Sequence, residues 1–286
     1  MTGYMLWNKQ IVERNAENTL VSFQDRGYQF GDGVYEVIRI YDGKLHALDW
    51  HLDRLFYSME QLSIRAPFSR TEINQLLKEL IKKNTFTLDG KLYVQVSRGI
   101  QPRDHVYLEE LEAVFYATID RFDKPVDMWE KGVKVTLQED IRWLRCDIKS
   151  LNLLGNVLAR TKAQKNGYHE PLFHRDGIVR ECGASNFYMI KDGEIHTHPA
   201  NHYILGGITR KKVLLFAAEL GIPVHEREFA VEELHDADEC FLTATPLEIV
   251  PIIQIDERPI NQQQVGETTK KLQQYYRKRV YDYQGA

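Results

Sequence analysis

The sequence predicts a two-domain α+β protein, and three observations support this. The chain has 286 residues, which is long for a single hydrophobic core, and its 43% hydrophobic and 27% charged residues are typical of a globular protein. A polar segment with a proline, residues 120–127, has the composition of a linker. On both sides of it, hairpin signals accompany amphipathic helical patterns. We expect a smaller N-terminal domain over residues 1–120, a linker over residues 121–127 and a larger C-terminal domain over residues 128–286.

The N-terminal part has local signals for hairpins and helices. Asp42-Gly43 separates two apolar runs and indicates a tight hairpin. Ser69 and Glu72 have the spacing of a capping box at the start of a helix. A long polar loop, residues 99–110, is of a kind that is often functional. The expected elements are strands over residues 4–12, 36–41, 44–48, 91–98 and 112–119, and helices that begin near residues 49 and 69.

The C-terminal part alternates strands with helices. Helices are expected over about residues 152–166 and 209–220, and from residue 267 towards Tyr281. Gly167 and Gly221 stand where helix C-terminal caps are expected. Asp176-Gly177 and Asp192-Gly193 predict two more hairpins.

Composition excludes several classes of protein. A net charge of -4 gives no electrostatic reason to bind nucleic acid. The sequence has no apolar window long enough for a membrane span, and MTGYMLWNKQ does not have the pattern of a signal peptide. The three cysteines, Cys146, Cys182 and Cys240, are odd in number and far apart in sequence, so they indicate neither a disulfide framework nor a zinc-type pairing. We therefore expect a cytoplasmic protein.

Lys149 lies where an extended stretch meets a predicted helix, within Cys146–Arg160. A lysine at such a junction can project into a cleft, and a neutral lysine amine attacks aldehydes. The alternative is a solvated lysine, one of 37 Lys and Arg residues.

Glu181 and Thr209 have chemistry that suits a phosphorylated pyridine. A carboxylate such as Glu181 can keep a pyridine nitrogen protonated, so that the ring accepts electrons. Two glycines precede a helix that begins near Thr209, where backbone N–H groups and a hydroxyl can bind phosphate. The alternatives are a charge at a strand end and an ordinary turn.

Arg103 and His105 are two residues apart in the long loop, so in an extended chain they point the same way. Together they can clamp a carboxylate. The alternative is a solvated loop in which the two charges are incidental. His196, His198 and His202 are crowded enough to suggest zinc, but no cysteine or carboxylate stands at the usual spacing. We expect a structural loop there and no metal.

Four stretches carry a resemblance to a known family. They are Asp25–Arg39, Glu139–Leu154, Thr197–Asn201 and Gly207–Arg210. Over nearly its whole length the chain resembles the fold-type IV pyridoxal-phosphate enzymes, and within them the bacterial D-amino-acid aminotransferases. The resemblance implies a small N-terminal domain, a larger C-terminal domain and pyridoxal 5'-phosphate between them.

The resemblance also implies the role of each site residue. Lys149 would form an imine with the cofactor and move the proton at the substrate Cα. Glu181 would pair with the pyridine nitrogen, and Leu205 would press on the ring. The phosphate would be held by Arg54, Ile208, Thr209 and Thr245. The substrate carboxylate would be held by Tyr35, Arg103 and His105.

The implied reaction moves the amino group of a D-amino acid, such as D-alanine, to 2-oxoglutarate or pyruvate. The product would be D-glutamate or D-alanine, which are cell-wall precursors. The loop with Arg103 and His105 would come from the partner subunit, so a homodimer is expected. Cys182, Gly183 and Ala184 depart from the family's pattern, and altered cofactor retention is expected from that.

Three alternatives stay open within the same fold. They are a branched-chain L-amino-acid aminotransferase, a 4-amino-4-deoxychorismate lyase and a non-catalytic dimer that binds a metabolite. The pair Arg103 and His105 argues against the lyase. Retention of both Lys149 and Glu181 argues against the non-catalytic dimer.

Overall fold

The computed structural model describes residues 3–15, 17 and 19–280, and their packing forms two compact units. The first unit holds the described residues up to Asp123 and also Ile148–Asn152. The second holds Lys124–Asp147 and the described residues from Leu153 onward. The predicted division placed Ile148–Asn152 in the C-terminal domain, whereas the structure packs it with the first unit, because Ser150 forms an antiparallel bridge with Val34.

The described strands of the first unit form one antiparallel sheet. They are β1 (Tyr4–Trp7), β2 (Gln10–Glu13), β3 (Gly33–Tyr41), β4 (Lys44–Leu45), β5 (Gly90–Ser97) and β6 (Val114–Arg121). Their order in the sheet is β2-β1-β6-β5-β3-β4. The single strand expected over Tyr4–Val12 is wrong. Asn8 has a φ of 51°, so the chain turns there and β1 pairs with β2.

Three described helices accompany this sheet: α1 (Arg26–Phe30), α2 (Leu48–Gln61) and α3 (Arg70–Lys83). The helix starts predicted near residues 49 and 69 are confirmed, and Ser69 and Glu72 form the expected capping box. The periodicity of α2 buries Leu52, Leu55 and Met59. Each such side chain contributes about 1.5–3 kcal/mol when fully buried. Helix α1 was not predicted, because it is too short to show a helical period.

The three Asp-Gly hairpins are confirmed. Asp42, Asp176 and Asp192 have φ values of 47°, 53° and 51°, and the glycine after each has a φ of 74°, 75° and 77°. Two successive residues with positive φ make the type I′ turn, whose twist matches that of the strands it joins. This explains why so local a signal predicts these hairpins.

The second unit is built on a mixed sheet. Its described strands are β7 (Val133–Glu139), β8 (Glu170–Arg175), β9 (Ile178–Cys182), β10 (Asn186–Lys191), β11 (Glu194–Thr197), β12 (Val224–Glu226), β13 (Glu239–Ala244), β14 (Glu248–Ile255) and β15 (Arg258–Pro259). The order is β12-β11-β10-β13-β14-β7-β8-β9, and β15 pairs with β14. Strand β7 runs parallel to β8 and β14. Buried Val135, Leu172, Phe187, Leu242 and Val250 belong to its hydrophobic core.

The described helices of the second unit are α4 (Val126–Lys131), α5 (Leu154–Lys165), α6 (Ile208–Glu219) and α7 (Glu267–Arg279). Gly167 and Gly221 follow the ends of α5 and α6 with positive φ, as expected for helix termination. Tyr281, to which the last helix was expected to extend, lies outside the described residues. Short 3₁₀ turns cover Val231–Asp236 and Asn261–Gln263. No described helix is long and apolar enough to cross a bilayer.

Candidate active site

Lys149 lies in an irregular segment that pairs with the start of β3. The N–H of Tyr35 donates to the carbonyl oxygen of Lys149 at 3.0 Å, and the N–H of Leu151 donates to that of Gly33 at 2.9 Å. The N–H of Lys149 donates to Ser58 Oγ of α2 at 3.2 Å. A strand and a helix of the same unit therefore fix the backbone of Lys149, while its side chain is half-buried.

The Lys149 side chain lies against Tyr35. Its Nζ is 4.2 Å from the centroid of the Tyr35 ring. Tyr35 stacks on Tyr93 of β5, with the ring centroids 5.7 Å apart. Because a ring face attracts a lysine amine in its charged form, Tyr35 helps to define where Nζ lies.

Glu36, the neighbour of Tyr35 in β3, forms a buried cluster with two residues of α2. Its carboxylate accepts hydrogen bonds from Arg54 Nε at 2.6 Å and Nη2 at 2.9 Å, and its Oε2 is 2.8 Å from His51 Nδ1. The Arg54 side chain is 10% exposed and the other two are at most 1%. His51 and Arg54 are three residues apart, a spacing that places both on one helix face.

Burial and charge set the protonation of this cluster. Burial raises the pKa of Glu36, but Arg54 and His51 outweigh it and hold the pKa well below its ordinary value. Burial lowers the pKa of His51, against the opposing effect of Glu36, and the charges of Arg54 and Lys149 reinforce the lowering. At neutral pH His51 is therefore neutral and donates from Nδ1. Its Nε2 is then a buried acceptor without a hydrogen-bond partner among the described residues.

Glu181, in β9 of the second unit, has a buried carboxylate with three donors. Oε1 accepts from Arg142 Nη1 at 2.7 Å. Oε2 accepts from Asn186 Nδ2 at 3.0 Å and from the N–H of Leu205 at 3.1 Å. Burial raises the pKa of Glu181, although Arg142 and the Leu205 N–H act against it. A further positive charge beside this carboxylate would favour its ionised form.

Arg142 is itself held by Asp140. Its Nε donates to Oδ1 at 2.9 Å and its Nη2 donates to Oδ2 at 3.0 Å. The guanidinium lies 4.5 Å from the centroid of the Phe173 ring. A bidentate pair with a ring beneath it leaves the guanidinium little freedom. Arg142 therefore presents Nη1 to Glu181 in a fixed position.

The turn after Glu181 contains the departure from the family's pattern. The N–H of Ala184 and the hydroxyl of Ser185 both donate to Glu170 Oε2 at 2.9 Å. A Cβ added to Gly183 would lie 2.6 Å from Cγ of Arg160. Buried Glu170 therefore anchors this turn and uses the Ser185 hydroxyl to do so. The expected effect on cofactor retention stays a prediction.

Helix α6 begins beside Glu181. Leu205, which donates to Glu181, also accepts at its carbonyl oxygen from Asn186 Nδ2 at 2.8 Å. A Cβ on Gly207 would lie 2.1 Å from Asn186 Oδ1, so this close approach requires glycine. Asn186 thus ties the segment that enters α6 to the carboxylate.

Ile208 and Thr209 form the first turn of α6, and both are buried. The first N–H groups of a helix have no intrahelical acceptor and attract anions. Thr245 lies in the turn between β13 and β14 and is half-buried. The second unit thus contains Glu181, Leu205, Ile208, Thr209 and Thr245, whereas Lys149, Tyr35 and Arg54 belong to the first.

Arg103 and His105 lie in the exposed loop between β5 and β6 of the first unit. The guanidinium carbon of Arg103 is 4.5 Å from the centroid of the Phe30 ring. The His105 ring meets the same ring edge-on at 5.7 Å. The structure therefore brings these two residues together on Phe30.

The crowded histidines have other contacts. His196 stacks on His225 with the ring centroids 4.9 Å apart. His198 Nδ1 is 2.9 Å from the carbonyl oxygen of Pro199, and its Nε2 contacts Arg180. Within residues 3–280, apart from positions 16 and 18, no group of three or more His, Cys, Asp or Glu residues is arranged to hold a metal ion.

Sequence reasoning missed Glu36, His51, Arg142 and Asn186. The spacing of His51 and Arg54 on a predicted helix was a usable signal for a shared polar partner. Arg142 lies inside the stretch Glu139–Leu154, but nothing local indicates that it contacts Glu181, 39 residues further along the chain.

Comparison with known proteins finds aminotransferases both by family and by individual relative. Residues 33–255 match the family described as amino-transferase class IV. A D-alanine aminotransferase of Listeria monocytogenes serotype 4b (strain F2365) is 44% identical over 275 residues, which are 95% of this chain and 94% of that protein. A D-alanine aminotransferase of Staphylococcus aureus (strain N315) is 43% identical over 261 residues, which are 91% of this chain and 92% of that protein.

Solved structures share the fold. A branched-chain amino acid aminotransferase of Escherichia coli has a TM-score of 0.92 at 24% identity, covering 99% of this chain and 96% of that chain. The enzyme of Thermobaculum terrenum, solved in its PLP form, has a TM-score of 0.89 at 26% identity, covering 99% and 95%. The predicted fold-type IV α+β class and the family resemblance are confirmed. The family match over residues 33–255 and the identity to the two bacterial relatives show that the chain belongs to the class IV amino-transferase family.

Proposed function

We propose that this chain is a pyridoxal-phosphate-dependent D-amino-acid aminotransferase. It would move the amino group of a D-amino acid such as D-alanine to a 2-oxo acid such as 2-oxoglutarate or pyruvate. The observation that carries the proposal is the placement of Lys149, whose backbone is fixed by β3 and Ser58 and whose Nζ lies 4.2 Å from the Tyr35 ring. The D-alanine aminotransferases at 43% and 44% identity support the substrate class.

The donor sets in the structure fit the cofactor. When bound, pyridoxal phosphate supplies an aldehyde carbon that takes the amino group and a ring that accepts electrons from the substrate Cα. The buried Glu181 carboxylate suits a protonated ring nitrogen. Burial raises the pKa of Glu181 and so disfavours the ionised carboxylate, whereas a cation beside it favours that form. The first turn of α6 suits a phosphate.

Each residue then has a role. Lys149 would hold the cofactor through its aldehyde carbon and would then move the proton at the substrate Cα. Glu181 would keep the ring nitrogen protonated, and Leu205 would pack on the ring. The phosphate would be held by the charge of Arg54, the Ile208 N–H and the hydroxyls of Thr209 and Thr245. Glu36 orients Arg54 for this task through two hydrogen bonds.

The substrate carboxylate would be held by Tyr35, Arg103 and His105, with the loop contributed by a partner subunit. A homodimer is supported by apolar side chains on and beside that loop. Phe23, Tyr28, Val106 and Leu108 are 63–76% exposed in the single chain. A second copy of the chain would cover such a surface.

The nearest rival is a branched-chain L-amino-acid aminotransferase, because the solved relatives are branched-chain amino acid aminotransferases. Those relatives are 24–26% identical, whereas the D-alanine aminotransferases are 43–44% identical over more than nine-tenths of the chain. The higher identity favours the D-specific function.

We also propose a cytoplasmic location. Cys146, Cys182 and Cys240 are free thiols, which suits a reducing compartment.

Borohydride reduction tests the role of Lys149. Reduction of the cofactor-loaded enzyme should fix the cofactor to the peptide that contains Lys149. Lys149→Ala should lose multiple turnover, while Lys131→Ala, which changes an exposed lysine paired with Asp127, should keep it. Labelling of a different lysine would overturn the proposal.

A further inference from the structure

Asp32 joins two buried arginines to which the proposed function gives no role. Nε of Arg26 and Nε of Arg98 both donate to Asp32 Oδ2 at 2.8 Å. Arg26 is 4% exposed and Arg98 is 6% exposed. Burial raises the pKa of Asp32, but its hydrogen bonds to the two arginines outweigh burial and hold the pKa below its ordinary value. The three side chains form a charged cluster at neutral pH.

The other nitrogens of Arg26 reach the loop between β5 and β6. Nη1 donates to the carbonyl oxygen of Asp104 at 2.7 Å, and Nη2 donates to that of His105 at 3.2 Å. A guanidinium presents its donors in one rigid plane. Arg26 therefore fixes two successive carbonyl groups of the loop relative to Asp32.

Arg98 contacts the same loop at Tyr107. Its guanidinium carbon lies 3.7 Å from the centroid of the Tyr107 ring. Its Nη1 and Nη2 donate to the carbonyl oxygens of Ser63 and Leu62 at 3.1 Å and 2.7 Å, just after the end of α2. Arg98 thus links Tyr107 of the loop to the end of a helix.

Two further side chains, Phe30 and Gln101, support this arrangement. Phe30 receives the guanidinium of Arg26 at 4.8 Å and that of Arg103 at 4.5 Å, besides the ring of His105. The Gln101 side chain donates to the carbonyl oxygen of Val106 at 2.9 Å and accepts from the N–H of Leu108 at 3.0 Å. The loop is thus ordered although residues 102–110 are exposed.

We propose that Arg26, Asp32 and Arg98 form an anchor that fixes the loop bearing Arg103 and His105. The three are positioning residues for binding the substrate carboxylate, an inference that rests on the proposed function for the roles of Arg103 and His105. Ordering a free loop on binding costs about 1–2 kcal/mol per residue in backbone entropy. In an anchored loop this backbone entropy is already lost when the protein folds, so it does not weaken substrate binding.

Arg26→Lys tests the anchor directly. Lysine keeps a positive charge beside Asp32 but lacks the planar fork that reaches both carbonyl groups. The matched control is Arg14→Gln, which removes another arginine–aspartate pair of the first unit, with Asp120. Hydrogen exchange followed by mass spectrometry on the holoenzyme measures the exchange rates of the Val106 and Leu108 amides. Each of these amides donates a hydrogen bond to a side chain of the loop.

In Arg26→Lys we expect these amides to exchange about tenfold faster and the KM for D-alanine to rise about tenfold. The cofactor absorbance and kcat should change little, and Arg14→Gln should match the parent. If Arg26→Lys does not fold, Arg98→Lys gives the same readouts at Tyr107. Unchanged loop exchange in a folded variant overturns the anchor, whatever the substrate. Faster exchange with an unchanged KM overturns the positioning role. A parent enzyme that is inactive on D-amino acids overturns the proposed function instead, and the exchange result still decides the anchor.

Discussion

Arg142 Nη1 lies 2.7 Å from Glu181 Oε1, and both side chains are 6% exposed. The pair has no freedom to choose other partners, because Asp140 holds the arginine while Asn186 and Leu205 hold the carboxylate. All three donors point at Glu181, so the site is built for an acceptor with negative charge. A glutamine at this position has only one acceptor oxygen, so its NH2 group would have to face one of these donors.

Glu181→Gln should therefore lower kcat more than cofactor affinity. A charge-assisted hydrogen bond contributes about 1.5–3 kcal/mol, so kcat should fall at least about tenfold. Glu239→Gln is the matched control, since Glu239 also accepts three hydrogen bonds, from Thr268 and Thr269, at the start of α7. Steady-state kinetics and cofactor titration measure both effects. A kcat in Glu181→Gln equal to that of the control would show that the carboxylate is structural.

Arg54→Gln should weaken cofactor retention. If Arg54 holds the phosphate as proposed, the loss of its charge-assisted contacts corresponds to roughly a tenfold or larger rise in cofactor dissociation. Arg70→Gln, which removes an exposed arginine paired with Asp49 and Asp53, controls for a general loss of ion pairs. Dialysis followed by absorbance measures retention. Equal retention in Arg54→Gln and the parent would mean that another residue holds the phosphate.

The cluster of Glu36 and His51 should make stability depend on pH. The pKa of His51 is lower in the folded chain than its ordinary value of 6.5. As the pH falls below 6.5, the unfolded chain binds a proton that the folded chain does not, so stability is lost. Glu36 adds a second loss at lower pH, because its pKa is held below the ordinary 4.5.

His51→Asn should remove the first of these losses. Asparagine keeps a donor for Glu36 but does not titrate. Between pH 6.5 and 4.5, the parent should lose up to about 1.4 kcal/mol per pH unit more unfolding free energy than the variant. Urea unfolding of the cofactor-free proteins across this range measures the difference. Parallel pH profiles would show that His51 titrates as in an unfolded chain.

A mixture of two inactive variants should test the homodimer. If the loop with Arg103 serves the partner's Lys149, mixed dimers of Lys149→Ala and Arg103→Ala contain one complete site. Activity should then reappear after the two variants are unfolded and refolded together. The control is a co-refolded mixture of Lys149→Ala and Glu181→Ala. In the proposal both residues serve the site of their own subunit, so each subunit of a mixed dimer keeps a defective site and the mixture should stay inactive. A mixture with Arg103→Ala that remains inactive would place the loop at its own subunit's site.

Local signals gave the parts of the fold that depend on neighbours in sequence. Asp42-Gly43 and the Ser69 capping box were predictable because their physics is contained within a few residues. The turn at Asn8 was missed because Asn8-Lys9 lacks the glycine that completes the strongest two-residue hairpin signal. Here it split one expected strand into two.

Candidate site residues could be named one by one from the sequence, but the contacts that hold them could not. The resemblance named Lys149 and Glu181, whereas their partners are set by folding. Asp32 meets Arg98 across 66 positions, and no periodicity in the sequence relates residues so far apart. Only the sheet register that brings β3 beside β5 places them together.

The stereochemical preference follows from where the substrate carboxylate is held. In the proposed mechanism, Lys149 would move the proton on one face of the bound cofactor, so the substrate Cα–H would have to point to that face. With the carboxylate on Tyr35, Arg103 and His105, one enantiomer fits. The other would set its side chain against the charged pair and leave the carboxylate without partners. Losing one such charge partner costs about 2–5 kcal/mol, which is well over tenfold in rate.

A donor panel with 2-oxoglutarate measures this most directly. D-alanine, L-alanine, L-leucine and L-valine are compared by kcat/KM on the parent enzyme and on Arg103→Ala. We expect the parent to prefer D-alanine over L-alanine by well over tenfold, and Arg103→Ala to lose much of that preference. Faster turnover of L-leucine or L-valine than of D-alanine by the parent would contradict the D-specific function and establish the branched-chain one.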